Sequence, residues 1–203
     1  WYRTHFPLRA GRHGRVTFEA TPHYLFHPLA PARAARLLPD ARFVVLLRDP
    51  VERAISHYEL QTRTGVERLD FAAAIAAEPA RLAGEVERLR ADPAYPAAAL
   101  HHYSYLARGR YAEQLAAWLR HFPPERLHVV RSEDLFAEPA ATYRGILSFL
   151  GLSEWLPARF PNYSDTPAPR PDRRAERALL AGVFSDANAR LAELVGRDFG
   201  WEV

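Results

Sequence analysis

The chain has 203 residues, 27 basic and 24 acidic, for a net charge of +3, and contains no cysteine. Disulfides, thiol catalysis and thiolate metal centres are therefore excluded, and the modest charge fits an anionic ligand better than a nucleic acid, whose binders concentrate a basic stripe. No apolar run approaches the roughly 18 residues of a membrane helix, no signal-peptide pattern is present, and 48% hydrophobic residues suffice for a single packed domain over 1–203.

Every basic residue is Arg and none is Lys. Abundant Ala, Arg and Pro fit a GC-rich bacterial genome, with the cytoplasm as the expected location. Arg also suits phosphate and sulfate, because its planar fork donates two parallel hydrogen bonds. The chain starts at Trp1 and has no Met, so residues upstream of it are expected.

Trp1 to Pro7 reads as the end of an aromatic-rich helix or loop, and Arg15 to Glu19 as a short strand closed by the turn Ala20-Thr-Pro22. Ala30 to Leu38 has the composition of a small helix, stopped by Pro39-Asp40. Phe43-Val-Val-Leu-Leu47 is a continuous apolar run of strand length, the pattern of a parallel strand covered on both faces. Asp49 can cap the next helix, Pro50 suits its first position, and Glu52 completes a capping box. Val51, Ala54, Ile55 and Tyr58 then recur at helical spacing and are expected to face the sheet. Asp70 to Arg90 predicts one or two surface helices, and Arg108 to His121 an amphipathic helix carrying Leu115, Trp118 and Leu119. Leu127 to Arg131 is a further strand and Pro139 to Leu150 a helix ended by Gly151. A Pro-rich loop over 162–171 leads to a last helix from about Arg173 to Val195. Alternating strands and helices predict an α/β fold, a three-layer sandwich around a central parallel sheet.

Arg48 follows directly on the most apolar strand, and ligands of open parallel sheets sit beyond the carboxyl ends of the strands. The helix that follows presents an N-terminal end that favours anions. Ser56 lies about two turns into that helix, off the Val51–Ile55 stripe, and an Arg fork plus a hydroxyl can hold one phosphate. The structural alternative is an Arg that pairs with a nearby carboxylate and an Asp that merely caps. Glu19 is a carboxylate suited to take a proton from a hydroxyl, or else a charge paired with Arg. His5, His23, His27 and His57 lie near these segments, but no pair has metal spacing. Tyr111 belongs to a helix with apolar anchors and reads as core.

Arg48-Asp-Pro-Val-Glu-Arg-Ala-Ile-Ser-His-Tyr58 resembles, nearly position by position, the motif of sulfotransferases of the heparan sulfate type that use 3′-phosphoadenosine 5′-phosphosulfate (PAPS). Trp1-Tyr-Arg-Thr-His-Phe-Pro7, Phe18-Glu-Ala-Thr-Pro-His-Tyr24, Arg108-Gly-Arg-Tyr111 with Leu115 and Trp118, Arg131-Ser-Glu-Asp-Leu135, Phe149-Leu-Gly-Leu152 and Leu194-Val-Gly-Arg-Asp-Phe-Gly-Trp201 resemble further family segments in family order. The resemblance implies a P-loop NTPase-like sulfotransferase fold and transfer of a sulfonate from PAPS to a hydroxyl or amine of an acceptor, a carbohydrate or small metabolite, without a metal. It places the 3′-phosphate on Arg48 and Ser56, makes Glu19 the remaining candidate base, and points to the loop before the last helix, where Arg170, Arg173 and Arg174 are candidates for the adenosine end.

The family's opening strand, its K-x-G-T-T loop for the 5′-phosphosulfate and its K-E-x-H-F segment have no counterpart here, and no Lys exists to serve in such a loop. The resemblance thus implies a domain truncated at its N-terminus by roughly 40 to 80 residues, one strand–helix–loop unit, and a piece impaired in catalysis by itself. Ala20 stands where many heparan-type members carry Lys. The other readings are a fragment of a nucleotide kinase-like enzyme and a degenerate module that binds adenosine bisphosphate without catalysis. The acceptor and the oligomeric state are not legible.

Overall fold

The computed structural model describes residues 16–161 and 172–201. Two strands, β1 (Phe43–Leu47) and β2 (Leu127–Arg131), pair in parallel, Phe43 opposite Leu127 and Leu47 opposite Arg131. Ten α-helices lie around them among the described residues: α1 (Ala30–Leu37), α2 (Pro50–Arg63), α3 (Phe71–Leu82), α4 (Glu85–Ala91), α5 (Ala98–His102), α6 (Tyr111–Leu119), α7 (Ser132–Ala137), α8 (Pro139–Leu150), α9 (Arg174–Leu180) and α10 (Ser185–Val195). The expected α/β architecture with a parallel sheet is what the chain adopts.

Because side chains alternate along a strand, the odd residues of β1 and β2 share one face. Phe43 meets Trp118 and Phe122, with ring centroids 4.7 and 4.6 Å away. Leu47 joins Tyr111, Leu115, Leu191, Phe199 and Trp201 in the core, with Val45, Leu127 and Val129 against it. The opposite face carries Val130, and His128 stacks on Phe149 of α8 at 5.0 Å. Leu46 on that face is 47% exposed, so the apolar run is not covered on both sides among the described residues.

The apolar stripe of α2 does not face the sheet as expected. Val51, Ala54 and Ile55 pack with Phe71 of α3, Leu180 of α9 and Phe184, a second core of helices alone, with Tyr58 against it. Two other expectations fail. Residues 16–19 are irregular rather than a strand, and the last helix is two, parted where Gly182 takes φ 76. That left-handed turn swings α10 onto α6 and leaves α9 on α2. Residues 108 and 109 form a 3-10 turn ahead of α6, not its first turn. Gly109 is required there: a Cβ would lie 2.5 Å from the Phe184 ring and 3.1 Å from Pro50.

Candidate functional site

The corner between β1 and α2 is fixed by three side chains. Asp49 caps α2, its Oδ1 accepting the N–H of Val51 at 2.8 Å and of Glu52 at 3.2 Å. The reciprocal half of the expected capping box does not come from Glu52. Glu133, just after β2, accepts the Asp49 N–H at 2.9 Å. Tyr111 donates its hydroxyl to the Arg48 carbonyl at 2.8 Å from a side chain only 4% exposed. Burial holds the Asp49 carboxyl above its usual range, partly offset by the two N–H bonds it accepts.

Two carboxylates therefore occupy the N-terminus of α2, and that end is not the anion seat the sequence suggested. The groups that face solvent lie on the flank of the helix instead. Arg48 projects from the end of β1 with its side chain 43% exposed, and Ser56 is exposed on the flank of α2. Glu52, Ser56 and Glu59, at spacings of four and three, form one ridge.

Glu52, released from capping, lies 3.9 Å from the Arg48 guanidinium and accepts Arg177 Nε at 2.6 Å. Arg173 pairs with Glu59, one turn beyond Ser56, and with Glu176 at 3.4 Å. The structure thus brings Arg48, Ser56 and Arg173 to one flank of α2. Arg174 is not brought there: its side chain is 90% exposed and, among the described residues, its one ion pair is with the nearby Asp172, at 3.6 Å. Arg170 lies outside the described residues, as does Trp1 to Pro7. Glu19 sits on an irregular segment, not at a strand end, and accepts the Tyr24 hydroxyl at 2.7 Å.

The contacts of Arg177 with Glu52 and of Tyr111 with the Arg48 carbonyl were missed from sequence. Arg177 sits in an Arg-rich helix with no motif around it, and nothing in the sequence shows that Glu52 would leave the cap. Tyr111 gave a signal that was read only as core; it is core and positions Arg48 as well.

A second polar cluster lines the inner side of α2. Arg53 donates to the Tyr105 carbonyl. Arg108 donates Nε to Ser104 at 2.7 Å and clamps the Leu100 carbonyl at the end of α5 at 3.0 Å, with His23 Nδ1 3.0 Å from its other nitrogen. Burial, then Arg53, lowers Arg108 to about 10. Burial, then the Arg53 and Arg108 charges, brings His57 down to about 3, and burial then Arg108 brings His23 to about 4. Both imidazoles are neutral near pH 7. His23, Phe26, Tyr95, His101 and Arg108 border a pocket of about 100 Å3. Among the described residues no cluster of three or more His, Cys, Asp or Glu side chains suits a metal ion, and no helix is long and apolar enough to cross a membrane.

The family model described as "Sulfotransferase family" matches residues 3–157, a stretch that contains β1, the Asp49 cap, Arg48 and Ser56. The chain belongs to the sulfotransferase family. Among curated relatives it is 28% identical to heparan sulfate glucosamine 3-O-sulfotransferase 3A1 of Mus musculus, over all of this chain and 53% of that protein. It is 30% identical to heparan sulfate glucosamine 3-O-sulfotransferase 6 of Homo sapiens, over 99% of this chain and 60% of that one. Among solved structures, a sulfotransferase from Alicyclobacillus acidocaldarius superposes with a TM-score of 0.66 at 31% identity, covering 89% of this chain and 65% of that one. The sulfotransferase chain described here therefore spans about half the length of the curated relatives it matches.

Proposed function

We propose that this sulfotransferase chain carries the 3′-phosphate grip for PAPS, with Arg48 and Ser56 as its binding residues, and that the reaction it serves sulfonates a glycan hydroxyl or amine. The observation that carries the reading is the flank of α2. Arg48, its carbonyl held by Tyr111 at the carboxyl end of a parallel strand and its side chain open to solvent, stands with an exposed hydroxyl on a family-matched segment, while the helix terminus beside them is closed by Asp49 and Glu133. Cationic and hydroxyl donors with open faces fit a phosphate, which takes charge-assisted hydrogen bonds from both.

When bound, the donor supplies a sulfonate activated by its mixed anhydride with phosphate: the acceptor–sulfur bond forms, the sulfur–oxygen bond to phosphate breaks, and adenosine 3′,5′-bisphosphate leaves. This chain's residues would hold the nucleotide end so that the reacting groups align. Glu19, held by Tyr24, is the proposed base that receives the acceptor's proton. Arg173 would steady the α2 flank from α9, and Arg170 and Arg174 remain proposed contacts to the adenosine end. The names of the relatives support a glycan acceptor, and the cytoplasm remains the proposed location. The family match favours this reading over a nucleotide kinase fragment.

The test is calorimetric titration of the 203-residue chain with adenosine 3′,5′-bisphosphate. Arg48→Ala and Ser56→Ala are expected to weaken binding, by about ten-fold or more for the loss of the charged donor. No binding by the wild-type chain, or unchanged binding in both variants, would overturn the assignment.

A further inference from the structure

We propose that Arg177 is a further cation of the 3′-phosphate grip and that Glu52 is the carboxylate the phosphate displaces, an inference that rests on the assignment of Arg48 and Ser56 above. Glu52 is the shared partner of two guanidiniums, Arg48 at 3.9 Å and Arg177 at 2.6 Å. It can play that part because Glu133 has taken the Asp49 N–H that Glu52 would otherwise bind. One negative charge thus stands between two positive ones, on the same helical flank as Ser56, one turn before it.

The two ion pairs that join α9 to α2 differ in kind. Arg173 is 20% exposed and held by two carboxylates, Glu59 and Glu176, so its charge is already met. Arg177 is 50% exposed and Glu52 is its one carboxylate within 4 Å among the described residues. Exposed pairs of this sort are weak and screened by solvent, hence easily exchanged. A phosphate monoester brings a charge of about −1.5 to −2 and three acceptor oxygens, against the single charge of Glu52. It satisfies Arg48 and Arg177 together and adds Ser56. The cation in the last turn of α9 is thereby part of the ligand site, while Arg173, at its N-cap, anchors the helix that carries it.

The experiment compares Arg177→Ala, Glu52→Gln and Arg48→Ala by calorimetric titration of the 203-residue chain with adenosine 3′,5′-bisphosphate and adenosine 3′-monophosphate. Arg177→Ala is expected to weaken both ligands by the same factor, about ten-fold, which locates the lost contact on the 3′-phosphate. Glu52→Gln is expected to tighten both by about three-fold, since the competing carboxylate is gone. A pair that merely fastens α9 predicts the opposite for Glu52→Gln: equal or weaker binding, with the same loss of melting temperature as Arg177→Ala. That result overturns the inference, as does Arg177→Ala binding like wild type while Arg48→Ala fails to bind, an outcome that leaves the Arg48 assignment intact. If Arg48→Ala also binds like wild type, the grip itself is wrong. Should Arg177→Ala not fold, Glu52→Gln alone decides by the sign of its change.

Discussion

Replacing Tyr111 by Phe tests whether the site corner is held from the core. The ring stays, packed with Leu47, Leu115 and Trp201, so no cavity opens. Only the hydroxyl goes, and with it the 2.8 Å bond to the Arg48 carbonyl. Burial above all pushes this phenol up to about 12, so it is a protonated donor at any physiological pH. An acceptor left without its donor in a buried setting costs about 1 to 2 kcal/mol, which for about 200 residues lowers the melting temperature by roughly 2 to 4 °C per kcal/mol. Tyr111→Ala adds the loss of the ring and is expected to cost about 3 to 5 kcal/mol. Urea melts followed by circular dichroism give both numbers, provided the slope with denaturant is unchanged. Because the carbonyl belongs to Arg48 itself, Tyr111→Phe is also expected to weaken adenosine 3′,5′-bisphosphate by a few-fold, about 0.5 to 1 kcal/mol. Wild-type stability would refute the bond's contribution. Lowered stability with unchanged affinity would refute the positioning role and leave Tyr111 as core only.

Gly109→Ala places a methyl 2.5 Å from the Phe184 ring and is expected to destabilise the chain by at least about 1 to 3 kcal/mol, since a ring already fully buried must move; a melt like wild type would refute the packing. Glu67 accepts from Arg81, Tyr105 and two backbone N–H groups; burial opposes its ionisation, the hydrogen bonds outweigh it, and the carboxyl falls to about 2. A depressed carboxyl stabilises the fold fully above its unfolded value near 4.5, and that contribution is lost as pH falls towards 2. His57 and His23, depressed to about 3 and 4, act over a higher window: the unfolded chain takes up their protons first, so stability drops as pH falls below about 6.5. Wild-type stability should decline in two stages on acidification; in His57→Gln the upper stage should shrink, and in Glu67→Gln the lower stage should vanish. A single acid transition untouched by either substitution would refute these assignments.

Strands β1 and β2, the Asp49 cap and the helix ended by Gly151 were legible because each is decided locally: an apolar run, a capping side chain, a glycine at φ 69. What packs on what was not. The stripe Val51–Ala54–Ile55 announces a buried face but cannot name its partner, and α9 rather than the sheet covers it. The break near Gly182 had a local signal, a glycine inside a helical run, but that α9 would pack on one core and α10 on another was not in the sequence. The proposed grip residues Arg48 and Ser56 come from a motif, whereas Arg177 enters the proposal only once α9 is laid on α2.

The cap decides more than the helix start. Asp49 needs a carboxylate for its own N–H, and either Glu52 or Glu133 can supply it. With Glu133 in that position, β2 is tied to the start of α2, and Trp201, whose Nε1 lies 3.4 Å from the same carboxylate, connects the chain's last described segment to it. Glu52 is then free to face outward, where its single charge is shared between Arg177 at 2.6 Å and Arg48 at 3.9 Å. The same choice fills the helix N-terminus with carboxylates and, on the proposed reading, leaves the flank to the phosphate. Had Glu52 completed the capping box, Arg48 would lack its counter-ion, α9 would lose its outer ion pair to α2, and a phosphate would meet a different arrangement of charge. The choice between two glutamates, 81 positions apart by their numbering (133 less 52), thus couples how the corner folds to the charge arrangement of the proposed grip.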